Sequence, residues 1–448
     1  MSRAAHESRV RRLVEDYRDL PADRPVRLAK GTSNLFRSRA DAPPSLDASG
    51  LDQMLSVDPE ARTADVQAMT TYEDLVEATL PYGLMPLVVP QLKTITLGGA
   101  VTGLGIESSS FRTGCPHESM LELEVLTGTG EIVTATATNE HRDLFFGFPN
   151  SYGSLGYATR LTIELEPVKP YVHLRHIRHH DFDAYFADLA RECTSGGHDF
   201  VDGTVFAPDR MFLTVADFSD TAPYTSDYTG MDVYYKSIRH RRNDYLTVRD
   251  YLWRWDTDWF WCSRAFGVQR PAVRRMWPKR WLRSDAYWKI VAFEKKHHPM
   301  ARLDALRGRP AREDVVQDVE IPVERTAEFL RFFASEVGIE PVWVCPLRQR
   351  DADAVWALCP LDPEVLYVNV GFWSTVALPE DAADGYYNRQ IESEVARLDG
   401  VKSLYSTAYY DEQEFWSTYN GDAYARLKKE YDPHDRLLDL YAKTVQRR

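Results

Sequence analysis

Residues 96–110 are the part of this chain whose residue types and spacing best suit binding chemistry. Their sequence, TLGGAVTGLGIESSS, holds four glycines and three consecutive serines. Glycine lets the backbone approach a ligand closely, and successive free N–H groups and hydroxyls form a concave anion site. This chemistry suits a pyrophosphate. The stretch has neither the Gly-x-Gly-x-x-Gly spacing nor the Gly-Lys-Ser/Thr of a P-loop, and a glycine-rich surface turn is the competing interpretation.

The neighbouring segments predict the elements that must hold this stretch in place. A short amphipathic helix over 71–80 precedes an apolar strand at 87–89. Two alternating strands within 121–135 flank a glycine turn, so we predict a hairpin there. A strand over 158–165 closes the block before the proline-containing stretch 166–170. The glycine-rich stretch is therefore expected inside an α+β unit.

In this order the elements resemble the FAD-binding domain of the vanillyl-alcohol-oxidase/p-cresol-methylhydroxylase (PCMH) superfamily, in which two α+β lobes hold an extended FAD between them. The glycine-rich stretch is similar to the same loop of delta-24 sterol reductases, flavoproteins that saturate a sterol side-chain double bond. Further similarity to that family lies at 200–203, 315–319, 342–346, 366–371, 414–416 and 424–428.

The resemblance implies an α+β fold with a two-lobed PCMH-type FAD-binding domain and an α+β cap domain for the substrate. Together with the proline punctuation it predicts four parts. They are an N-terminal helix (1–19), the FAD-binding domain (20–168), the cap (169–415) and a C-terminal helical tail (416–448) that returns to the FAD domain.

The resemblance also implies which residues contact FAD. Many superfamily members carry a glycine triplet and a histidine in the first phosphate loop, and that histidine can bond covalently to FAD. Here the loop 30–37 has one glycine and neither histidine nor cysteine, so we expect FAD to be bound non-covalently. The alternative for this loop is an ordinary polar turn between a strand and a helix, without a role in binding FAD. The predicted contacts are Lys30, Thr32, Ser33, Asn34, Thr96, Gly98, Gly99, Gly103, Gly105, Ile106, Glu107, Ser108, Ser109, Ser110, Gly114, Gly153, Ser154 and Gly156. NADPH or NADH is the expected electron donor.

The double bond that the family implies is isolated, so direct hydride addition would leave an unstabilised carbanion. Protonation first, followed by hydride transfer to a tertiary cation, needs a neutral acid and a cation-tolerant pocket. Glu107, inside the loop, is the first candidate acid because burial raises a carboxyl pKa. The alternative is that Glu107 only shapes the turn. Asp318 and Tyr409 are the other candidates, and Tyr410 and Tyr419 compete with Tyr409 for that role.

A second unusual region, residues 249–298, contains seven of the eleven tryptophans: Trp253, Trp255, Trp259, Trp261, Trp277, Trp281 and Trp288. Over 270–296 there are nine Lys/Arg against two acidic residues. Tryptophan interleaved with cations suits the bilayer interface, so we predict that this region docks to a membrane and reaches a lipid substrate. Core packing in the cap is the first alternative. Nucleic-acid binding is the second, and a net charge of −13 disfavours it.

Composition sets the remaining limits. A chain of 448 residues, 44% hydrophobic, is long enough for two folded domains. Five scattered cysteines without a C-x-x-C pair favour a reducing compartment and no metal site. A polar N-terminus and the lack of any run of about 18 apolar residues predict neither a signal peptide nor a transmembrane helix. We therefore expect a cytoplasmic protein, peripheral on the inner face of the cell membrane.

The sequence thus predicts an FAD-dependent, NAD(P)H-driven reduction of an isolated C=C bond in a lipid. Abundant Arg, Ala, Asp and Val are typical of a high-GC bacterium, which usually lacks sterol synthesis. A methylene-branched fatty acyl chain of a phospholipid is therefore the preferred substrate, with a sterol next and a lipid methyltransferase as an expected partner. An alcohol or sugar-lactone oxidase is one alternative and would need a base and a polar pocket. A flavin-containing docking protein without turnover is the other.

Overall fold

The structure, a computed structural model, describes residues 1–29, 36–37, 45–297 and 310–446. Its strands are β1 (Arg27–Ala29), β2 (Ser45–Asp47), β3 (Met54–Asp58), β4 (Thr63–Gln67), β5 (Leu84–Pro86), β6 (Met120–Thr127), β7 (Ile132–Ala135), β8 (Gly156–Pro167), β9 (Tyr171–His179), β10 (Phe200–Ala207), β11 (Arg210–Ser219), β12 (Asn243–Thr247), β13 (Arg312–Pro322), β14 (Val342–Leu347), β15 (Tyr367–Ala377) and β16 (Val401–Lys402). Its α-helices are Arg3–Asp19, Tyr72–Thr79, Leu97–Thr102, Ser110–Thr113, Arg142–Gly147, Phe182–Ser195, Tyr234–Ser237, Val248–Leu252, Pro271–Met276, Ser284–His297, Val323–Glu336, Tyr386–Arg397, Glu412–Thr418, Gly421–Tyr431 and Leu440–Thr444.

Two antiparallel sheets hold most of the described strands, one in the predicted FAD-binding half and one in the predicted cap half, while β1 and β2 form a separate parallel pair. In the first sheet the order is β3-β4-β8-β6-β7, with β5 also paired to β8. In the cap sheet it is β12-β9-β11-β10-β14-β15-β13-β16. The first sheet ends with β8 at Pro167 and the second begins with β9 at Tyr171, and the predicted boundary at 168 lies between them. The mixed helix-and-sheet fold confirms the predicted α+β class.

The local predictions in the first half mostly agree with the structure. Thr71 caps the helix Tyr72–Thr79 by accepting a hydrogen bond from the amide of Asp74, and β6 and β7 form the expected hairpin. The strand predicted at 87–89 is wrong by three residues, because it is β5 at Leu84–Pro86 that pairs with β8. Residues 87–89 are buried without strand pairing, so burial alone gave them the apolar pattern of a strand.

Two long helices cover one face of the cap sheet. Along β13 the side chains of Val315, Val319 and Ile321 pack in one apolar cluster with the helices Phe182–Ser195 and Val323–Glu336. Side chains alternate between the two faces of a strand, so Val316, Asp318 and Glu320 lie on the opposite face, toward the predicted FAD-binding half. This alternation places two acidic residues of β13, Asp318 and Glu320, at the interface between the two halves.

Both ends of the described chain pack on the FAD domain. In the N-terminal helix, the Tyr17 hydroxyl donates to the carbonyl oxygen of Gly128 over 2.7 Å. In the tail, Lys428 donates to the carbonyl oxygen of Ser154 over 3.1 Å, and Val26 forms a parallel bridge with Leu437. The tail therefore returns to the first half of the molecule.

Within the described ranges no helix is both long and apolar enough to cross a membrane. The same residues hold no cluster of three or more His, Cys, Asp or Glu side chains arranged to bind a metal ion.

Candidate functional site

A cavity of about 1820 Å³, counting its open mouth, lies between the two halves of the molecule. One wall comes from residues 90–106 and the beginning of β8. The opposite wall comes from β13, β14 and β15 of the cap sheet and from an aromatic pair at 259–260. The cavity therefore combines the predicted cofactor loop with the face of the cap sheet that lies opposite the two long helices.

The glycine-rich loop is fixed closely against the domain behind it. Thr96 caps the short helix Leu97–Thr102, accepting from the amide of Gly99, and the amide of Gly98 donates to the carbonyl oxygen of Ala68 over 2.8 Å. A Cβ on Gly98 would lie 2.8 Å from Ala68 Cβ and 2.9 Å from Ala68 O. Glycine is needed here for close packing, which leaves the loop backbone facing the cavity.

Gly98→Ala is therefore expected to reduce flavin retention and to lower the free energy of unfolding by about 1–3 kcal/mol, because backbone atoms block the new methyl group. Gly50→Ala is the matched control, since a Cβ at Gly50 meets nothing within 4 Å. The flavin-to-protein absorbance ratio after gel filtration measures the effect. Wild-type flavin content in Gly98→Ala would contradict the packing argument.

The cavity wall includes eight of the predicted FAD contacts: Thr96, Gly98, Gly99, Gly103, Gly105, Ile106, Gly153 and Gly156. Both Gly153 and Gly156 have positive φ, at 73° and 153°, a backbone region that favours glycine. The predicted contacts Lys30, Thr32, Ser33 and Asn34 lie outside the described residues.

The three consecutive serines require a correction, because they do not line the cavity. Ser108 Oγ contacts Glu107 and the Tyr251 hydroxyl at 2.8 and 2.9 Å, Ser109 donates to the carbonyl oxygen of Leu87, and Ser110 Oγ accepts from the amide of Glu107. Their hydroxyls hold the loop instead of facing a phosphate.

Gly114 and Ser154 also lie outside the cavity wall. Gly114 has a positive φ of 72° at a turn where a Cβ would collide with the carboxylate of Glu118. Ser154 is fully buried and donates to the carbonyl oxygen of Ser151. Both residues shape the backbone behind the site.

Three cations that sequence reasoning did not select line the same cavity: Arg27, Arg37 and Lys443. Lys443 reaches it from the tail and donates to the carbonyl oxygen of Gly153 over 2.6 Å. Cations beside exposed loop backbone are the donors that a diphosphate needs, and the aromatic wall suits a flat ring system. The residues present therefore fit FAD.

Glu107 is held in a buried ion network and does not line the cavity. Its carboxylate is 2.7 Å from Arg254 Nη2, which is also 2.9 Å from Asp202 Oδ2, and it accepts a hydrogen bond from Gln91. The side chain of Arg254 is 1% exposed and lies over the ring of Tyr251. Burial raises the pKa of Glu107, while Arg254 opposes that rise. The network joins the cofactor loop to β10 of the cap, so the structure places Glu107 as a brace for the loop.

Asp318 of β13 does line the cavity. Its Oδ1 accepts from Asn369 Nδ2 over 3.1 Å, and it also bonds to Tyr405. Removal from water raises the pKa of Asp318 to about 6, although the hydrogen bonds from its two neighbours oppose the rise. Of the candidate acids, Asp318 is the carboxyl group that lines the cavity, and its raised pKa leaves a larger protonated fraction near neutral pH than an ordinary aspartate has.

Aromatic rings surround the space in front of Asp318. Trp259, Phe260, Trp343 and Trp373 all line the cavity, with the centroids of Phe260 and Trp373 4.4 Å apart. Trp259 and Phe260 both have positive φ, at 45° and 59°. Such values are strained for bulky residues and are typical of functional sites, and here they place two successive rings in one wall.

The tyrosine candidates lie away from the cavity. Tyr409 packs beneath Arg389, with 4.9 Å from the guanidinium carbon to the ring centroid. Tyr410 and Tyr419 are buried, and the Tyr419 hydroxyl donates to the carbonyl oxygen of Lys402. These positions suit packing, so the structure does not favour them as proton donors.

Sequence reasoning also missed Asn369, Ser403 and Tyr405, which line the cavity beside Asp318. Asn369 could have been found from the sequence, because it is a polar residue within the apolar strand β15. Tyr405 lies in a short segment after β16, and one tyrosine among 24 carries no distinguishing pattern.

Comparisons with known proteins agree with this geometry. A family model described as an FAD binding domain matches residues 2–136. The Delta(24)-sterol reductase of Homo sapiens is 26% identical over 408 residues, which cover 88% of this chain and 76% of that protein. The Delta(24)-sterol reductase of Arabidopsis thaliana is 24% identical over 446 residues, covering 90% and 77%. Cytokinin dehydrogenase 6 of Oryza sativa subsp. japonica is 31% identical over 220 residues, covering 48% and 36%.

Proposed function

Since the chain belongs to the FAD-linked oxidoreductases with a PCMH-type FAD-binding domain, we propose that it reduces an isolated carbon–carbon double bond in a lipid. The observation that carries the proposal is the carboxyl group of Asp318, whose pKa is raised, in an aromatic-walled cavity shared with the cofactor loop. The sterol reductases among the relatives, which cover most of the chain, support the same class of reaction.

The loop backbone at 96–106 and Gly153 would hold the cofactor, together with the cations Arg27, Arg37 and Lys443. When bound and reduced by the nicotinamide, FAD would supply the hydride that completes the reduction. Asp318 holds the proton for the less substituted alkene carbon. The π electrons form the new C–H bond there, and the positive charge develops on the more substituted carbon.

The aromatic cavity wall would stabilise that charge. Tryptophan and phenylalanine faces attract a cation through their ring quadrupoles, and Trp343 and Trp373 stand on neighbouring strands of the wall. Once Asp318 has lost its proton, its carboxylate is a negative charge in the same cavity. Asn369 and Tyr405 keep that carboxylate in place through hydrogen bonds.

An anaerobic spectral titration of the purified holoprotein tests the reaction class. NADPH, or NADH in a parallel sample, is expected to bleach the flavin, and an alkene-containing lipid is expected to restore its colour with formation of the saturated product. An alcohol or sugar lactone that bleaches the flavin, together with no response to either nicotinamide, would instead identify an oxidase.

Two substrates present the required alkene. A methylene-branched fatty acyl chain of a phospholipid gives a tertiary cation on protonation and is our first choice, because the composition is typical of organisms without sterol synthesis. A delta-24 sterol gives the same cation and is supported by the names of the relatives. Supplying each lipid separately to the reduced holoprotein, with mass spectrometry of the product, distinguishes them. A lipid methyltransferase, which makes the branched alkene, is the proposed partner for the first substrate.

The rate at which substrate reoxidises the flavin should fall as pH rises, because Asp318 must be protonated. The pKa of Asp318 is raised to about 6, so the rate is expected to be constant well below pH 6. Above that value it should fall by about tenfold per pH unit, as expected for a single general acid. Stopped-flow reoxidation between pH 5 and pH 9, with bound substrate in excess, gives the profile. A rate that rises with pH would indicate a base in place of an acid.

A further inference from the structure

The predicted membrane region divides into a buried part and an exposed part. Trp253, Trp255, Trp259 and Trp261 are buried, so core packing is the role of this half of the tryptophan cluster. Trp281 is 50% exposed, and Met276, five residues earlier, is 86% exposed. Within residues 249–298, a contact with a membrane must therefore use the second half.

Four exposed apolar side chains and five exposed cations form what we call the cap-edge surface: Met231, Met276, Trp281 and Ile290, with Arg270, Arg275, Lys279, Arg280 and Lys289. Large apolar side chains rarely cluster at such exposure on a soluble protein unless the patch contacts something. The charge of these five side chains is positive, whereas the whole chain has a net charge of −13.

Buried contacts hold the segments of this surface together. Arg274 is buried, pairs with Asp258 at 2.7 Å and donates to the carbonyl oxygens of Gly230 and Asp232, which flank Met231. The ring of Trp277 lies 6.5 Å from Trp281 and 6.3 Å from Tyr287. The short helix Pro271–Met276, the turn 279–281 and the helix Ser284–His297 are thus fixed relative to one another.

Acidic groups do little to neutralise the surface. Asp285 pairs with Arg283 at 2.6 Å and lies 3.7 Å from Lys289. Arg283 also pairs with Glu73. Hydrogen bonds from Thr229 lower the pKa of Asp227, and the charge of Lys279 adds to that shift. Arg270, Arg275 and Arg280 form no ion pair with any described residue. Unpaired cations around apolar tips are complementary to an anionic lipid surface.

The helix Ser284–His297 connects this surface to the cavity. On one side it exposes Ile290. On another side Trp288 packs against Phe36, with ring centroids 4.9 Å apart, and against Trp259 at 6.1 Å. Both Phe36 and Trp259 line the cavity. A lipid leaving a bilayer at the cap-edge surface would therefore meet the aromatic wall after crossing a single helix.

We propose that the cap-edge surface docks on a bilayer containing anionic phospholipid, with Met276 and Trp281 entering the interface and the surrounding cations contacting headgroup phosphates. Single interfacial side chains and a few cations each contribute modestly, so binding is reversible and falls with salt. Docking does not depend on turnover and stands or falls separately from the proposed reaction.

Flotation of the holoprotein with vesicles tests the proposal in the absence of nicotinamide and alkene. Vesicles of phosphatidylcholine with phosphatidylglycerol are expected to bind the protein, and vesicles of phosphatidylcholine alone are expected to bind it at least about tenfold more weakly. Met276→Glu with Trp281→Glu, and separately Lys279→Glu with Arg280→Glu, should each reduce binding at least about tenfold. Val355→Glu is the matched control, since Val355 is 75% exposed and lies outside this surface.

Wild-type binding that is unaffected by both double variants would overturn the proposal, as would a wild-type protein that does not float with anionic vesicles. Equal affinity for single-stranded DNA at the same salt concentration would overturn it as well, because the surface would then be a general polyanion site. Flavin content and reduction of a detergent-dispersed substrate should be unchanged in the variants, which keeps a docking defect distinct from a defect in the reaction.

Discussion

Asp318→Asn is expected to lower the rate of alkene reduction by about 10²–10⁴-fold, the usual contribution of a positioned general acid. Asparagine keeps the shape and the hydrogen-bonding capacity of the side chain but has no proton to give. Flavin content and bleaching by the nicotinamide should be unchanged, because Asp318 faces the cavity from the cap and the cofactor loop lies on the opposite wall. The slow residual rate should also lose its dependence on pH.

Asp314→Asn is the matched control, because Asp314 lies on the same face of β13, four residues earlier, is exposed and does not line the cavity. It should reoxidise as fast as the wild-type protein. Glu107→Gln tests whether Glu107 or Asp318, the two carboxyl candidates from the sequence, is the general acid. If Glu107→Gln abolishes reoxidation with flavin still bound while Asp318→Asn does not, the acid is Glu107 and our assignment is wrong.

Arg254→Leu is expected to lower the free energy of unfolding by about 3–5 kcal/mol, because it removes one member of a buried ion network and leaves two buried carboxylates unpaired. The side chains of Glu107 and Asp202 are 4% and 3% exposed, so water cannot replace the guanidinium. The same loss frees the cofactor loop from β10, so flavin should also be lost more readily. Urea unfolding followed by far-UV circular dichroism measures the effect.

Adding Glu107→Gln and Asp202→Asn to Arg254→Leu removes both unpaired charges, and most of the lost stability should return. Arg249→Leu is the control in the same segment. Arg249 forms an ion pair with Glu77, and its side chain is 61% exposed. Such surface pairs contribute about 0–1 kcal/mol to the free energy of unfolding. An Arg254→Leu protein as stable as Arg249→Leu would show that the network is not a structural brace.

The sequence predicted the features that depend on residues close together in the chain and missed those that depend on residues far apart in it. The cofactor loop was found from local composition, and the hairpin of β6 and β7 from alternation and a glycine turn, since both are set by neighbouring residues. Asp318 was accessible as a candidate because strand alternation decides which face it occupies. The role of Glu107 in a buried ion network could not be predicted, because its partner Arg254 lies 147 residues away in the chain.

The tryptophan region failed for a related reason. Trp255, Trp259 and Trp261 lie in and around the short 3-10 helices Asp256–Asp258 and Cys262–Phe266, where neither helical nor strand periodicity separates buried from exposed positions. Composition could therefore propose a membrane surface, but only packing against the cap sheet shows that four of the seven rings are core residues.

The hydrogen bond from Lys443 to the carbonyl oxygen of Gly153 spans 290 positions of the chain, and Val26 of the first strand region bridges to Leu437. During translation Leu437 and Lys443 emerge from the ribosome after every strand of both sheets. The flavin cavity therefore cannot take its final form until these two residues are available, and before then the two halves of the molecule must fold around an unfinished site.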